Sequence, residues 1–268
     1  MAAIHPESQY RRGGRGENGS ISKSKGALLL GAVLVLMPAL AHAAELRLLS
    51  SNAMREALRA LAPAFETASG HKVAMTFIGS AEMLKRLRAG ETADVIVLQA
   101  SSIDELAAAG LVVPGSRVDF ARSLVAAAVR AGAPRPDLSS GEALKRSVLA
   151  SKTVVISSGP SGIYLAALFE RMGIPREKVV QTPSGTQTGP IVARGETDIA
   201  FQQVSELLPV PGIDLVGTLP VDVEHVTLFS GGLHAAAKEP QAGRALMQFL
   251  ASPAAAPVLR SKGMEPVR

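Results

Sequence analysis

Cysteine is missing from all 268 residues of the chain, and so is tryptophan. Disulfides, thiolate nucleophiles and cysteine-based metal sites are therefore excluded, and the fold must rest on its apolar core alone. Aromatic residues are few as well, with two Tyr and seven Phe. That scarcity argues against a sugar-binding surface and against single-stranded nucleic acid, which is held by stacking bases on aromatic rings. Histidine is thin: past residue 43 there are only His71, His225 and His234, and no pair has the spacing of a helical metal site. No Gly-x-Ser-x-Gly elbow, Walker A loop or Gly-x-Gly-x-x-Gly turn follows a strand pattern, since Gly159-Pro160-Ser161-Gly162 has the wrong spacing. The carboxylates are scattered over helix faces. An anion-dependent enzyme such as a lyase would need an acid or base in the cleft; Glu82 and Glu206 are the nearest candidates, and solvated helix positions account better for both. These absences predict a chain with no catalytic activity, no metal and no cofactor.

Charge is a weak guide. The formal net charge is +5, but Arg11, Arg12, Arg15, Lys23 and Lys25 stand against only Glu7 and Glu17 in the first 43 residues, so that segment alone carries +3. The rest of the chain has no basic run, and nucleic acid is not expected as a partner.

What is present begins with an export pattern. Lys23 and Lys25 precede an apolar run from Gly26 to Leu40, followed by Ala41-His42-Ala43. A positive segment, a short apolar run and a small-x-small exit describe a secretory signal peptide over 1–43. The run falls short of the ~20 residues a membrane span needs. A periplasmic location follows as an expectation.

Beyond it the chain alternates strands and helices. "ELRLL" (45–49) reads as a strand, Ser50-Ser51-Asn52 opens a helix, and Gly70 stops that helix near Ser69. "HKVAMTFI" (71–78) is a second strand, and Gly79-Ser80 opens a second helix. "ADVIVLQA" (93–100) is a continuous apolar run suited to a buried parallel strand. The same strand, polar turn, helix order returns further on, in "KTVVISS" (152–158) followed by Gly159–Gly162, and in "TDIAFQQV" (197–204). The pattern predicts an α/β protein of two doubly wound lobes joined by crossover strands, with a ligand cleft between them. Lobe 1 would hold 45–121 and 230–268, and lobe 2 would hold 122–229. No linker-like stretch separates them.

Four polar turns fall at strand-to-helix junctions: Ser50-Ser51-Asn52, Gly79-Ser80, the turn containing Ser161, and Thr186-Gln187-Thr188-Gly189. Helix N-termini carry unpaired N–H groups and a partial positive charge, so several converging in a cleft can hold an anion without Lys or Arg. Ordinary N-capping accounts for any one of these serines; the recurrence across both lobes is what suggests an anion site.

The stretches "SSNAMREAL", "FIGSAEMLKRLRAGETADVIV", "SGIYLAALFERMG", "IVARGETDIAF" and "FLASPAAAPVLRSKGMEP" together make 45–266 resemble the periplasmic molybdate-binding proteins of ABC importers. The resemblance implies a type II periplasmic-binding-protein fold and a monomer that captures molybdate or tungstate and docks on an ABC permease. Molybdenum would enter only as the oxyanion. Ser51 and Ser80 match the family's two serine positions, Ser161 falls where the family often has Ala, and Thr186 to Thr188 lies near a backbone-donor position. One position departs: Gln203, beside Gln202, stands where the family commonly places a Tyr whose hydroxyl touches the oxyanion. Gln offers an acceptor that a fully ionised oxyanion cannot use. A small organic carboxylate is thus the alternative ligand, and a ligand sensor for a signalling receptor the alternative role.

Overall fold

The computed structural model describes residues 43–267, and the signal-peptide expectation lies outside them. Strands β1 (Glu45–Ser51), β2 (Lys72–Ile78) and β3 (Val95–Gln99) pair in parallel around β1. Helices α1 (Arg55–Ser69), α2 (Ser80–Arg88) and α3 (Ala100–Ala108) follow them in turn. Gly70 ends α1 in the left-handed region at φ 75°, and its N–H closes on Glu66 O. A side chain there would strain the backbone, which is why glycine marks this stop.

β4 (Val118–Arg130) is the long strand of the molecule. Its first half pairs with β9 (Val226–Leu233), and its second half pairs with β7 (Ile199–Gln203) and β8 (Ile213–Thr218). β9 pairs in turn with β3. The second half of the chain places β5 (Val154–Ile156) between β7 and β6 (Val179–Gln181), all parallel. The sheet therefore runs β2-β1-β3-β9-β4-β7-β5-β6. The edges of this order are two parallel α/β units, and the antiparallel pair β9-β4 carries the chain across.

Helices α4 (Gly141–Ala150), α5 (Pro160–Arg171) and α6 (Gly189–Ala193) belong to the second unit. A four-residue helix α7 (Val204–Leu207) follows β7. The terminal helices α8 (Pro240–Leu250) and α9 (Ala256–Ser261) return to the first unit, where Leu246, Met247, Leu250 and Leu259 join the core of α1 and β1. A short β10 (Glu265–Pro266) pairs with β4.

The core follows strand periodicity. On β3, Val95 and Val97 face the α1–α8 core, while Ile96 and Leu98 face Met83, Leu87 and Ile103 on the other side. On β4, Val125, Ala127 and Val129 face Leu144, Leu165 and Phe169, and Ala126 and Ala128 face Val192 and Leu207. Helices thus cover both faces of both units, which is why these strands read as unbroken apolar runs.

Three differences from the sequence reading matter. β6, β8 and β10 had no prediction, because they are short or half-exposed and lack a clear period. The strand expected over 197–204 stops at Gln203. Val204–Leu207 then turns into helix, and that one turn carries Glu206 into the core.

Candidate functional site

The carboxyl ends of β1, β5 and β7 open onto one small cavity of about 40 Å³. The first unit contributes Ser51, Asn52 and Ala53 after β1, Gly79 and Ser80 at the start of α2, and Phe229 from β9. From the second come Ser157 through Ser161 at the start of α5, the turn Ser184-Gly185-Thr186, and Gln202, Gln203 and Glu206.

Of the ten site residues expected from sequence, Ser51, Asn52, Gly79, Ser80, Ser161, Thr186 and Gln203 line this cavity. Ser50, Gln187 and Thr188 do not. Ser50 is fully buried with its hydroxyl donated to Ser51 O at 3.1 Å, because strand alternation turns it away from its neighbour. Thr188 is fully buried and spends both its N–H and its hydroxyl on Gln202 Oε1, each at 2.8 Å. Gln187 sits between the lip of the cavity and that buried residue.

The serine hydroxyls are not consumed as helix caps. Ser51 precedes the 3-10 turn Asn52–Met54 without a side-chain cap bond, and its Oγ is buried with no partner. A buried hydroxyl left unpaired costs free energy unless something completes it, so Ser51 marks a place for a ligand atom. At α2 and α5 the residues before the helix are Gly79 and Gly159, which have no side chain to cap. The first helical bonds there are Met83 N–H to Gly79 O and Ile163 N–H to Gly159 O, so the amides of Ser80, Ala81, Ser161 and Gly162 precede any helical partner. Gly162 is required: a Cβ there would lie 1.5 Å from Ser157 O.

The two units meet over the cavity mouth. Asn52 Nδ2 donates to Gly185 O at 3.2 Å, and Arg55 Nη2 fixes the other end of that amide by donating to Asn52 Oδ1 at 2.5 Å. Gly79 lies so close that a Cβ would be 2.5 Å from both Gly185 N and Ser184 Oγ.

Gln203 faces the crossover strands. With its amide set to satisfy its neighbours, Oε1 accepts from Thr227 Oγ1 at 2.7 Å, and Nε2 reaches Ser123 Oγ and O and Leu124 O at 3.2 Å. Both ends of the amide are used by β4 and β9, so Gln203 shapes the floor of the cavity without a spare donor.

Glu206 is the residue whose role the sequence reading misplaced. It is 9% exposed, where a solvated helix position had been expected. Burial pushes its carboxyl up to about 7, against the opposing effects of a hydrogen bond from Gln202 and the charge of Arg55. Gln202 Nε2 donates to its Oε1 at 2.8 Å. No other titratable side chain lines the cavity among the described residues. Glu82, the other carboxylate considered, is on the surface, paired with Arg86 at 3.2 Å. The available signal was position: Glu206 follows the carboxyl end of a strand within one turn, as the polar turns do. Serines 157, 158 and 184 were also missed as lining residues.

An acid or base matched to neutral pH in a cleft of hydroxyls and helix ends can do proton transfer as well as bind. Among the described residues no group of three His, Asp or Glu is placed to hold a metal, and no helix is long and apolar enough to cross a membrane.

Comparison with known proteins gives two kinds of relative. The fold is shared with the periplasmic molybdate-binding protein of Azotobacter vinelandii (TM-score 0.68, 17% identity, 83% of this chain and 100% of that one). It is shared too with the sulfate-binding protein SubI of Mycobacterium tuberculosis (TM-score 0.67, 19% identity, 84% of this chain and 87% of that one). At such identity only the fold is common. Much nearer in sequence is an aconitate isomerase from a Pseudomonas species, 40% identical over 251 residues that cover 90% of this chain and 95% of that protein. That relative overturns the expectation of a chain without catalytic activity. The expectation failed because it placed Glu206, one of the two acid or base candidates it weighed, on a solvated helix face, whereas that carboxyl is buried. Residues 46–265 match a single family over nearly the whole described chain, and the protein belongs to the bacterial extracellular solute-binding proteins.

Proposed function

We propose that this protein isomerises a small unsaturated polycarboxylic acid of the aconitate class, moving one proton along an allylic three-carbon unit with Glu206 as the base. The carrying observation is Glu206 itself, a buried carboxyl raised to about 7 and the one titratable group facing an otherwise neutral cavity.

Aconitate is a propene bearing three carboxylates, with a methylene between one carboxylate and the double bond. Removing a methylene proton breaks one C–H bond and spreads the electron pair over the allyl unit and its carboxylates. Returning a proton to the far carbon forms one C–H bond and shifts the double bond. The geometry of the new double bond depends on how the carboxylates are held. Nothing is oxidised or reduced, and no water is consumed. The cleft supplies what this needs: the unpaired Ser51 hydroxyl, Ser80, Ser161 and the free helix amides to receive carboxylates, and Glu206 to take and return the proton. The 40% identity to an aconitate isomerase supports the same reading. A fully ionised inorganic oxyanion, by contrast, carries no proton for Glu206 to move.

The first test follows interconversion of cis- and trans-aconitate by proton NMR in deuterated buffer, on protein starting at Glu45. Turnover with deuterium entering at the allylic carbons is expected. Binding heat without turnover would leave the second reading, capture of a carboxylate for delivery to an ABC permease, which the family membership favours.

Gly79→Ala tests the closed geometry. Gly79 has φ −64°, so alanine strains nothing locally and only the contact with Ser184 and Gly185 is hit. Overpacking of this kind costs roughly 1–3 kcal/mol. Affinity for trans-aconitate by calorimetry is expected to fall about tenfold, with the melting temperature of the free protein little changed. Undiminished affinity would mean that the ligand is held without this contact.

A further inference from the structure

The reading of Glu206 as base leaves open what holds its carboxyl. We propose that Gln202, locked by Thr188, is the positioning residue that aims the Glu206 carboxyl at the cavity and stabilises its ionised form. The inference rests on the proton-transfer reading for its catalytic meaning, and on hydrogen-bond geometry for its structure.

A glutamine amide can be turned either way, and here the surroundings leave one choice. Thr188 N–H is a backbone group and can only donate. It lies 2.8 Å from Gln202 Oε1, and the Thr188 hydroxyl lies at 2.8 Å from the same oxygen. The oxygen end is therefore fixed on Thr188, and the NH2 end must face Glu206, where it donates to Oε1 at 2.8 Å. Thr188 is 0% exposed, Gln202 2% and Glu206 9%, so little water competes along the relay. A donor on one carboxylate oxygen favours the charged form and fixes the plane of the group, leaving Oε2 for the cavity. An amide turned the other way would present its oxygen and favour the protonated acid instead. The polar pair is spaced by the fold: Gln202 is the penultimate residue of β7 and Glu206 sits in the turn of α7 directly after that strand.

Other charges around α7 are accounted for. Arg55, from the helix after β1, lowers the Glu206 carboxyl through its charge. Glu56 and Lys262 border a surface groove with Ser205, and Arg122, Glu224, Arg260 and Glu265 border one with Val204; neither groove is lined by Gln202 or Glu206.

The test uses Gln202→Met, which keeps length and loses the donor, and Thr188→Ser, which keeps the hydroxyl. In protein labelled with carbon-13 at the glutamate side-chain carboxyls, the Glu206 signal is the one lost in Glu206→Gln. Its titration midpoint is expected to rise by about one pH unit or more in Gln202→Met and to stay in place in Thr188→Ser. The acid limb of kcat/KM for aconitate should rise with it, and kcat should fall more than KM changes. A folded Gln202→Met protein with an unmoved midpoint overturns the relay, whatever its turnover. A midpoint that moves in a protein inert towards aconitate upholds the relay and overturns the isomerase reading instead. If Gln202→Met does not fold, Thr188→Val, which removes one of the two locking donors, is read the same way, with a smaller rise expected and no rise overturning the relay.

Discussion

Glu206→Gln is expected to lower the rate of aconitate interconversion by about 10³-fold, within the range that a positioned general base contributes. The substitution is close to isosteric. Its oxygen can still accept from Gln202 Nε2, which lies 2.8 Å from Glu206 Oε1, so the cavity keeps its shape and its donors while losing the one group able to take a proton. Affinity for trans-aconitate should hold or improve, because a neutral amide replaces a carboxyl that repels a polyanion. The wild-type profile supplies a second check. A base must be ionised in the free enzyme, so kcat/KM should rise with pH through about 7, the value to which burial pushes this carboxyl. The bound substrate's own charges push it further up, which makes the carboxylate a stronger base once the cleft is filled. Stopped turnover with preserved binding in Glu206→Gln is the predicted signature. Turnover within a few-fold of wild type would remove Glu206 from the chemistry.

Why the cleft was readable and the chemistry was not follows from which physical signals survive in one dimension. Strand, polar turn and helix leave a local record: Val95 to Leu98 are apolar in succession because both faces of β3 are covered, and Gly70 stops α1 because its backbone turns left-handed there. The polar turns after β1 and before α2 and α5 were found because Ser, Asn and Gly concentrate where a strand hands over to a helix. Glu206 left only its position, within one turn of the end of a strand. A carboxylate in a helix-like stretch is solvated in most proteins, and only the early end of β7 at Gln203 turns it inward. Nor could spacing reveal that Gln203 would be engaged by Thr227 and Ser123, or that Thr188 would be spent on Gln202. Those pairings depend on strands and turns that are distant in sequence, and they separate the glutamine that shapes the floor from the one that works on the carboxyl.

The same substitution that stops proton transfer is expected to make the protein more stable at alkaline pH. Glu206 has its folded-state carboxyl raised from 4.5 to about 7. A group whose pKa is raised on folding favours the fold fully only below its unfolded value. Its contribution is lost as pH climbs from about 4.5 through about 7, since above that the folded state must bury a charge that the unfolded chain leaves in water. At about 1.4 kcal/mol per pH unit, the loss comes to about 3 kcal/mol. Glutamine does not titrate, so Glu206→Gln should match wild type near pH 4 and exceed it by about 3 kcal/mol near pH 8.5 in urea unfolding. Other carboxyls shift the curve of both proteins alike: Glu66, Asp119, Asp137 and Glu196 are held low by their partners and favour the fold as pH rises. The difference between variant and wild type isolates Glu206. A difference that does not grow with pH would mean the carboxyl is ordinary in the folded protein, and the case for it as a neutral-pH base would fall with it. A gain in stability paired with a loss of turnover is the expected mark of a residue kept for chemistry at the expense of the fold.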